Sequence, residues 1–190
     1  STSDAVAAFS GEANVDIYAY DLETGADMRL TEHPRPDADP VWSPDGTRIA
    51  FARFTQEDLH DLYVMNSDGT GERLLVGGES DDIWPSWSPD GTEIVFMSDR
   101  STFGDIFVVD AETGELRVKR IAQSPTADEF PDWSPIDDRI AYVEERRKAE
   151  QTRIYTVRSD GSEKRIVAVF DGCCGIRQVE WSPDGKWIAF

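Results

Sequence analysis

Three aspartates share one position in a recurring frame. Asp37, Asp82 and Asp128 each stand three residues before a proline, Pro40, Pro85 and Pro131. Carboxylates repeated in phase can do two kinds of chemistry. They can offer hard oxygen ligands to a cation such as Ca²⁺, or a negative mouth to a basic peptide tail. Asp39, Asp81, Glu129 and Asp132 lie close by in sequence and would add to either. The plainer alternatives are a hydrated acidic rim, or aspartates that fasten their own loops.

Catalytic chemistry finds less to work with. The two histidines, His33 and His60, fall in expected loops. No G-x-S-x-G elbow, H-E-x-x-H pair or glycine-rich phosphate loop is present. Acidic pairs such as Asp81-Asp82 and Asp137-Asp138 say little about acid–base catalysis in so acidic a chain. The chain is therefore expected not to be an enzyme. Cys173 and Cys174 are adjacent and do not match C-x-x-C metal or redox spacing. They can close a strained disulfide ring, bond elsewhere or stay as free thiols.

The 190 residues carry a formal charge of −19, from 38 acidic and 19 basic residues. That field repels nucleic acid and anionic membranes and attracts cations and basic partners. A hydrophobic share of 39% with 11% aromatic residues suits a folded domain. No stretch is apolar for long enough to span a bilayer. Starting at Ser1, with no leader segment, the chain reads as mature, processed or excised protein.

The elements that must position these residues come as a repeat. Trp42-Ser43-Pro44-Asp45-Gly46 recurs from Trp87 to Gly91 and from Trp181 to Gly185, with a worn copy from Trp133 to Asp137. A short apolar run follows each, at Ile49-Ala50-Phe51, Ile94-Val95-Phe96, Ile140-Ala141-Tyr142 and Ile188-Ala189-Phe190, and Ala7-Ala8-Phe9 reads as an earlier copy. A second strand pattern keeps phase with the first, as in Asp61-Leu62-Tyr63-Val64-Met65 and Asp105-Ile106-Phe107-Val108-Val109. Gly25, Gly69, Gly114 and Gly161 then supply hairpin turns before a shorter strand. Each period thus holds four strands, A (ending in Trp-Ser), B, C and D. Helical periodicity is nowhere sustained; only Glu144 to Gln151 suits a helical turn. The fold class is all-β, a β-propeller of four-stranded antiparallel blades, about four in number.

These motifs resemble the TolB-like, or WD40-like PD40, propeller family, whose blades carry W-S-P-D-G-x-x-I-A-F followed by D-I-Y-V-M-N-x-D-G. The resemblance runs from about Val6 to Phe190 and treats residues 1–190 as a single propeller domain, whole or part of a longer chain. It implies an extracytoplasmic location and a role in protein binding. Such blades occur in TolB itself and in propellers that cap prolyl-oligopeptidase-like hydrolases, so fold analogy alone does not choose a role.

In the W-S-P-D-G unit the Pro sets the first turn corner, the Asp accepts backbone N–H bonds and the Gly takes the left-handed position. Trp42, Asp45, Gly46, Trp87, Asp90, Gly91, Trp133, Trp181, Asp184 and Gly185 are accordingly read as structural, with each Trp filling the wedge between blades. The turn at Ile136-Asp137-Asp138 lacks the Gly and is expected to be distorted or longer. Strand A lines the channel of a propeller, which places Asp37, Asp82 and Asp128 at its mouth. The B–C loops, from Arg53 to His60, Ser98 to Gly104 and Glu144 to Thr152, differ most between blades and suit a partner surface. Phe54, Trp84, Phe103 and Phe130 would anchor a contact there or cover their own blades.

The ends do not match a closed ring. Strand B occurs five times, and A, C and D four times each. Either the chain is a slice of a longer one, or it makes a small ring, or its edge strands pair with another copy. The preferred reading is a non-enzymatic extracytoplasmic module that self-associates through edge strands or propeller faces. A TolB-like adaptor that binds a peptide at the acidic mouth is the second reading, and the propeller of a hydrolase whose catalytic domain lies elsewhere is the third.

Overall fold

The computed structural model describes residues 5–10, 15–55, 59–101, 103–118, 121–122, 125–146, 150–172 and 175–190. Cys173 and Cys174 lie outside them. Among the described residues there is no helix, and hence none long and apolar enough to cross a membrane. The chain divides into two compact units, Ser1–Pro85 and Ser86–Phe190.

The first unit opens with a three-stranded sheet of β1 (Ala5–Ser10), β2 (Val15–Tyr20) and β3 (Asp27–Arg29). A four-stranded sheet follows in simple order, β4 (Asp37–Trp42), β5 (Arg48–Phe54), β6 (His60–Asn66) and β7 (Arg73–Val76). Next come β8 (Asp82–Trp87), β9 (Glu93–Ser98), β10 (Asp105–Asp110) and β11 (Leu116–Val118), again ordered as they occur along the chain. The second unit continues with β12 (Ala127–Trp133), β13 (Arg139–Arg146), β14 (Gln151–Arg158) and β15 (Arg165–Asp171), and ends on the pair β16 (Glu180–Trp181) and β17 (Ile188–Ala189). The division is the one read from the repeat: B, C and D, then three complete A-to-D sheets, then A and B.

Short local signals explain this meander. The A–B turns close when the backbone N–H of Ser43, Ser88, Ser134 and Ser182 donates to the carbonyl of Arg48, Glu93, Arg139 and Trp187, at 2.7–2.9 Å. Inside the turn, Ser43 Oγ and Thr47 Oγ1 both donate to Asp45 Oδ1, at 2.6 and 2.9 Å. These bonds hold the Asp45 carboxyl down at about 2. Ser88, Thr92 and Asp90 repeat the arrangement, and Ser182 donates to Asp184. Gly46, Gly91 and Gly185 hold positive φ there.

Several sequence expectations are corrected. The turn at Ile136 keeps the common length, so it is not longer, but it has no left-handed residue where Gly46 stands in its counterpart. Register pairs Ala7 with Tyr18, the place that Phe51 takes opposite Tyr63. The Ala7-Ala8-Phe9 run is therefore two residues out of phase, a slip that period-two alternation hides. Glu144 to Arg146 continue strand β13 and form no helical turn. Arg53 and Ser98 likewise belong to strands, and His60 begins β6.

Apolar burial joins neighbouring sheets within each unit. In the first, Ile17 and Leu30 pack with Ile49, Phe51 and Met65, and Trp42 and Tyr63 lie against them. In the second, Ala141, Val143 and Ile154 meet Val179, flanked by Phe130, Phe170, Trp181 and Ile188. Each such fully buried aliphatic or aromatic side chain stabilises by roughly 1.5–3 kcal/mol. β5, β9 and β13 are buried over most of their length, which is why their sequences read as unbroken apolar runs.

Candidate binding site at the start of the A strands

An aspartate stands first in β4 and β8 and second in β12, and β4 and β12 then break their ladders. Asp39, Trp84 and Phe130, the residues before Pro40, Pro85 and Pro131, have φ of 52°, 55° and 53°. The β4–β5 register skips between Ala38 and Val41, and the β12–β13 register between Glu129 and Asp132. Proline has no N–H to give the ladder, so the strand bulges at that point. The bulge turns a large or charged side chain aside at a recurring place, in a conformation that non-glycine residues adopt only under constraint.

Asp37, Asp82 and Asp128 are fully buried, not on an open rim. Asp37 fastens its own sheet. Arg53, its register partner across β5, donates Nε to Oδ1 at 2.6 Å and Nη2 to Oδ2 at 2.9 Å. The same guanidinium donates to both Glu72 oxygens and lies over the rings of Phe51 and Tyr63. Burial works against its charge, but its hydrogen bonds to the Asp37 and Glu72 carboxylates outweigh that and hold it protonated. Both Asp37 oxygens are thus committed to Arg53. Among the described residues no three His, Cys, Asp or Glu side chains gather where they could hold a metal ion.

In the first unit the approach to β8 is tied to the head of β6. His60 Nδ1 lies 2.6 Å from Asp81 Oδ1, to which the His60 backbone N–H also donates at 3.0 Å. The Phe54 ring meets the imidazole edge-on at 3.9 Å. Burial pushes the Asp39 carboxyl up, opposed by the charge of His60 and by a hydrogen bond from the Trp84 backbone N–H. Burial also raises Asp61, against a bond from Gly78 N–H. His60, Asp81 and Phe54 thus form an anchoring cluster that joins the head of β6 to the approach to β8.

In the second unit one carboxylate links three A strands. Asp132 Oδ1 accepts from Ser86 Oγ at 3.0 Å, and Oδ2 accepts from the Trp181 backbone N–H at 2.7 Å. Ser86 Oγ in turn accepts the Trp133 N–H at 3.0 Å. Burial pushes the Asp132 carboxyl up to about 6, and Glu180 adds a like charge, while the Trp181 N–H, the Ser86 hydroxyl and the nearby Trp133 N–H pull the other way. Asp132 and Ser86 occupy the same place, directly before the blade Trp.

Of the aromatics singled out from the sequence, Phe103 is exposed, while Phe54, Trp84 and Phe130 are half-buried and Phe130 packs on its own core. Arg53 and the Asp132 link were not read from the sequence. The signal for the first was available, since an arginine two residues after Phe51 falls opposite Asp37 once the hairpin register is set. Nothing local marks the second.

Comparison with known proteins fits this architecture. The family described as PD40, TolB beta propeller domain, matches residues 5–190. A solved structure described as a TolB from Agrobacterium tumefaciens is 26% identical with a TM-score of 0.75, covering 95% of this chain and 67% of its own. TolB from Acinetobacter baumannii is 18% identical with a TM-score of 0.76, covering 98% and 48%. A puromycin-hydrolyzing peptidase from Mycobacterium tuberculosis is 17% identical with a TM-score of 0.66, covering 88% and 29%. The last two likenesses show the fold alone. The chain spans about two thirds of the first of these structures and about half of the second. A search of the curated proteins finds no match.

Proposed function

The chain belongs to the TolB β-propeller family, and from that premise we propose that residues 1–190 act as one non-enzymatic, extracytoplasmic propeller domain that binds proteins, its first partner being a second copy of itself. The observation that carries this reading is β15. The D strands β3 and β7 are three and four residues long, whereas β15 has seven. It is the last strand of its sheet, and Ile166, Val167 and Val169 are about half exposed on it. Short outer strands protect a sheet from unwanted pairing, and a long aliphatic one invites it. The β14–β15 register shifts at Val167, so the regular stretch on offer is Ala168 to Asp171.

Sedimentation equilibrium across about a hundredfold range of concentration tests this reading. Wild type should self-associate and Val169→Lys should stay monomeric. A wild-type chain that is monomeric throughout would sink the proposal.

A second reading, an adaptor for a partner's basic segment, is favoured by the Asp39, His60 and Asp81 cluster beside Trp84. A basic peptide that protects His60 from modification would support it, and an unchanged rate would count against it.

A further inference from the structure

A cleft of about 530 Å³ opens in the first unit, among the β2–β3, β4–β5 and β6–β7 turns. Its volume lies in the range of ligand pockets. Tyr20, Met28 and Trp42 give it aromatic and thioether walls, and Asp21, Glu23 and Asp27 give it a negative rim. No lining side chain is basic. Tyr20 and Met28 are nearly half exposed, so the walls are open to a ligand. Asp21 is held ionised by bonds from Thr24 and Glu23, which fix its turn and keep a charge on the rim.

We propose that this cleft takes a lysine or arginine side chain carried on an extended segment of a partner protein. The argument rests on two complementarities. An alkylammonium or guanidinium group is attracted both by an aromatic face and by the surrounding carboxylates, and its aliphatic stem suits the Met28 side. The Trp42 indole Nε1 is buried without an acceptor. A long basic side chain suits the cleft better than a small free cation, because its aliphatic stem can lie along Met28 while its charged end meets the acidic rim. The same donor is unpaired in Trp133 and Trp181, so the N–H alone does not mark a site. The cleft and its one-signed charge do. The site shares no residue with β15, so its failure and that of the self-association reading are separable.

The test is an NMR titration of the full chain with a capped oligolysine peptide, following the Trp42 indole N–H and the Met28 methyl. Because the whole chain is acidic, a charge-matched control is needed. Glu23→Gln with Asp27→Asn should weaken binding about tenfold. Glu112→Gln with Glu115→Gln, on the exposed turn of another blade, should change it less than about twofold. Saturable shifts at both Trp42 and Met28 support the site. Equal weakening by the two pairs, or silence at Trp42 and Met28, overturns it. Tetramethylammonium producing the same Trp42 shift as the peptide overturns the peptide assignment.

Discussion

Asp132 Oδ2 accepts the backbone N–H of Trp181 at 2.7 Å, so a side chain in β12 holds the main chain of β16. A side chain thereby bonds across two sheets that share no ladder, and it does so from a buried, desolvated position. That position has a pH signature.

The folded-state value of about 6 lies above the ordinary 3.8, so between these two the native state binds the extra proton. Stability from this group is therefore fully present at acid pH and declines as pH rises from about 4 to about 6. Asp132→Asn keeps an acceptor for Trp181 and removes the charge. The difference in unfolding free energy between the variant and wild type should change by on the order of 2–3 kcal/mol from about pH 4 to about pH 8, in the variant's favour. Parallel urea curves for the two proteins across that range would refute the assignment.

Arg53 should be among the least replaceable residues outside the apolar core. Arg53→Met strands the buried Asp37 carboxylate and should destabilise by about 3–5 kcal/mol. Lysine cannot reproduce the two-pronged contact and should recover only part of this. Joining Arg53→Met to Asp37→Leu should restore much of the loss. Denaturant midpoints for the four proteins decide the matter, and a double variant no better than the single one would contradict it.

Gly69 and Gly46 separate backbone strain from crowding. Both have positive φ, at 82° and 70°. A Cβ on Gly69 would lie 2.7 Å from the Leu30 carbonyl oxygen, and one on Gly46 would meet nothing within 4 Å. Gly46→Ala should cost about 1–2 kcal/mol for the left-handed backbone alone. Gly69→Ala should cost visibly more in the same thermal melt, and equal losses would mean that the turn yields freely.

The stacked pair Tyr142 and Tyr155, with ring centroids 5.4 Å apart, gives opposite expectations for one substitution. The Tyr142 hydroxyl is buried without a partner, so Tyr142→Phe should be neutral or stabilise by about 1 kcal/mol. Tyr155 donates to Glu144 and accepts from Arg153. Tyr155→Phe should destabilise by a similar amount. Chemical unfolding of both variants checks the contrast, which fails if the two move together.

The sequence by itself determined the blades. Alternation, β-branched runs and turn residues act within a few positions of one another, so Trp42 to Phe51 specify a hairpin wherever they stand. The seventeen strands among the described residues, and their division among sheets, followed from that. Tertiary structure decided everything that depends on register or on neighbouring sheets. The two-residue slip at Ala7 is invisible to a period of two, and the left-handed turn at Asp39, Trp84 and Phe130 appears only when the following proline cannot join a ladder. Asp37 looked like a cation ligand because its repeat was legible and its partner Arg53, sixteen residues on, was not. Asp132 is forty-nine residues from Trp181. No local rule links such distant groups, because what brings them together is the packing of one blade against the next.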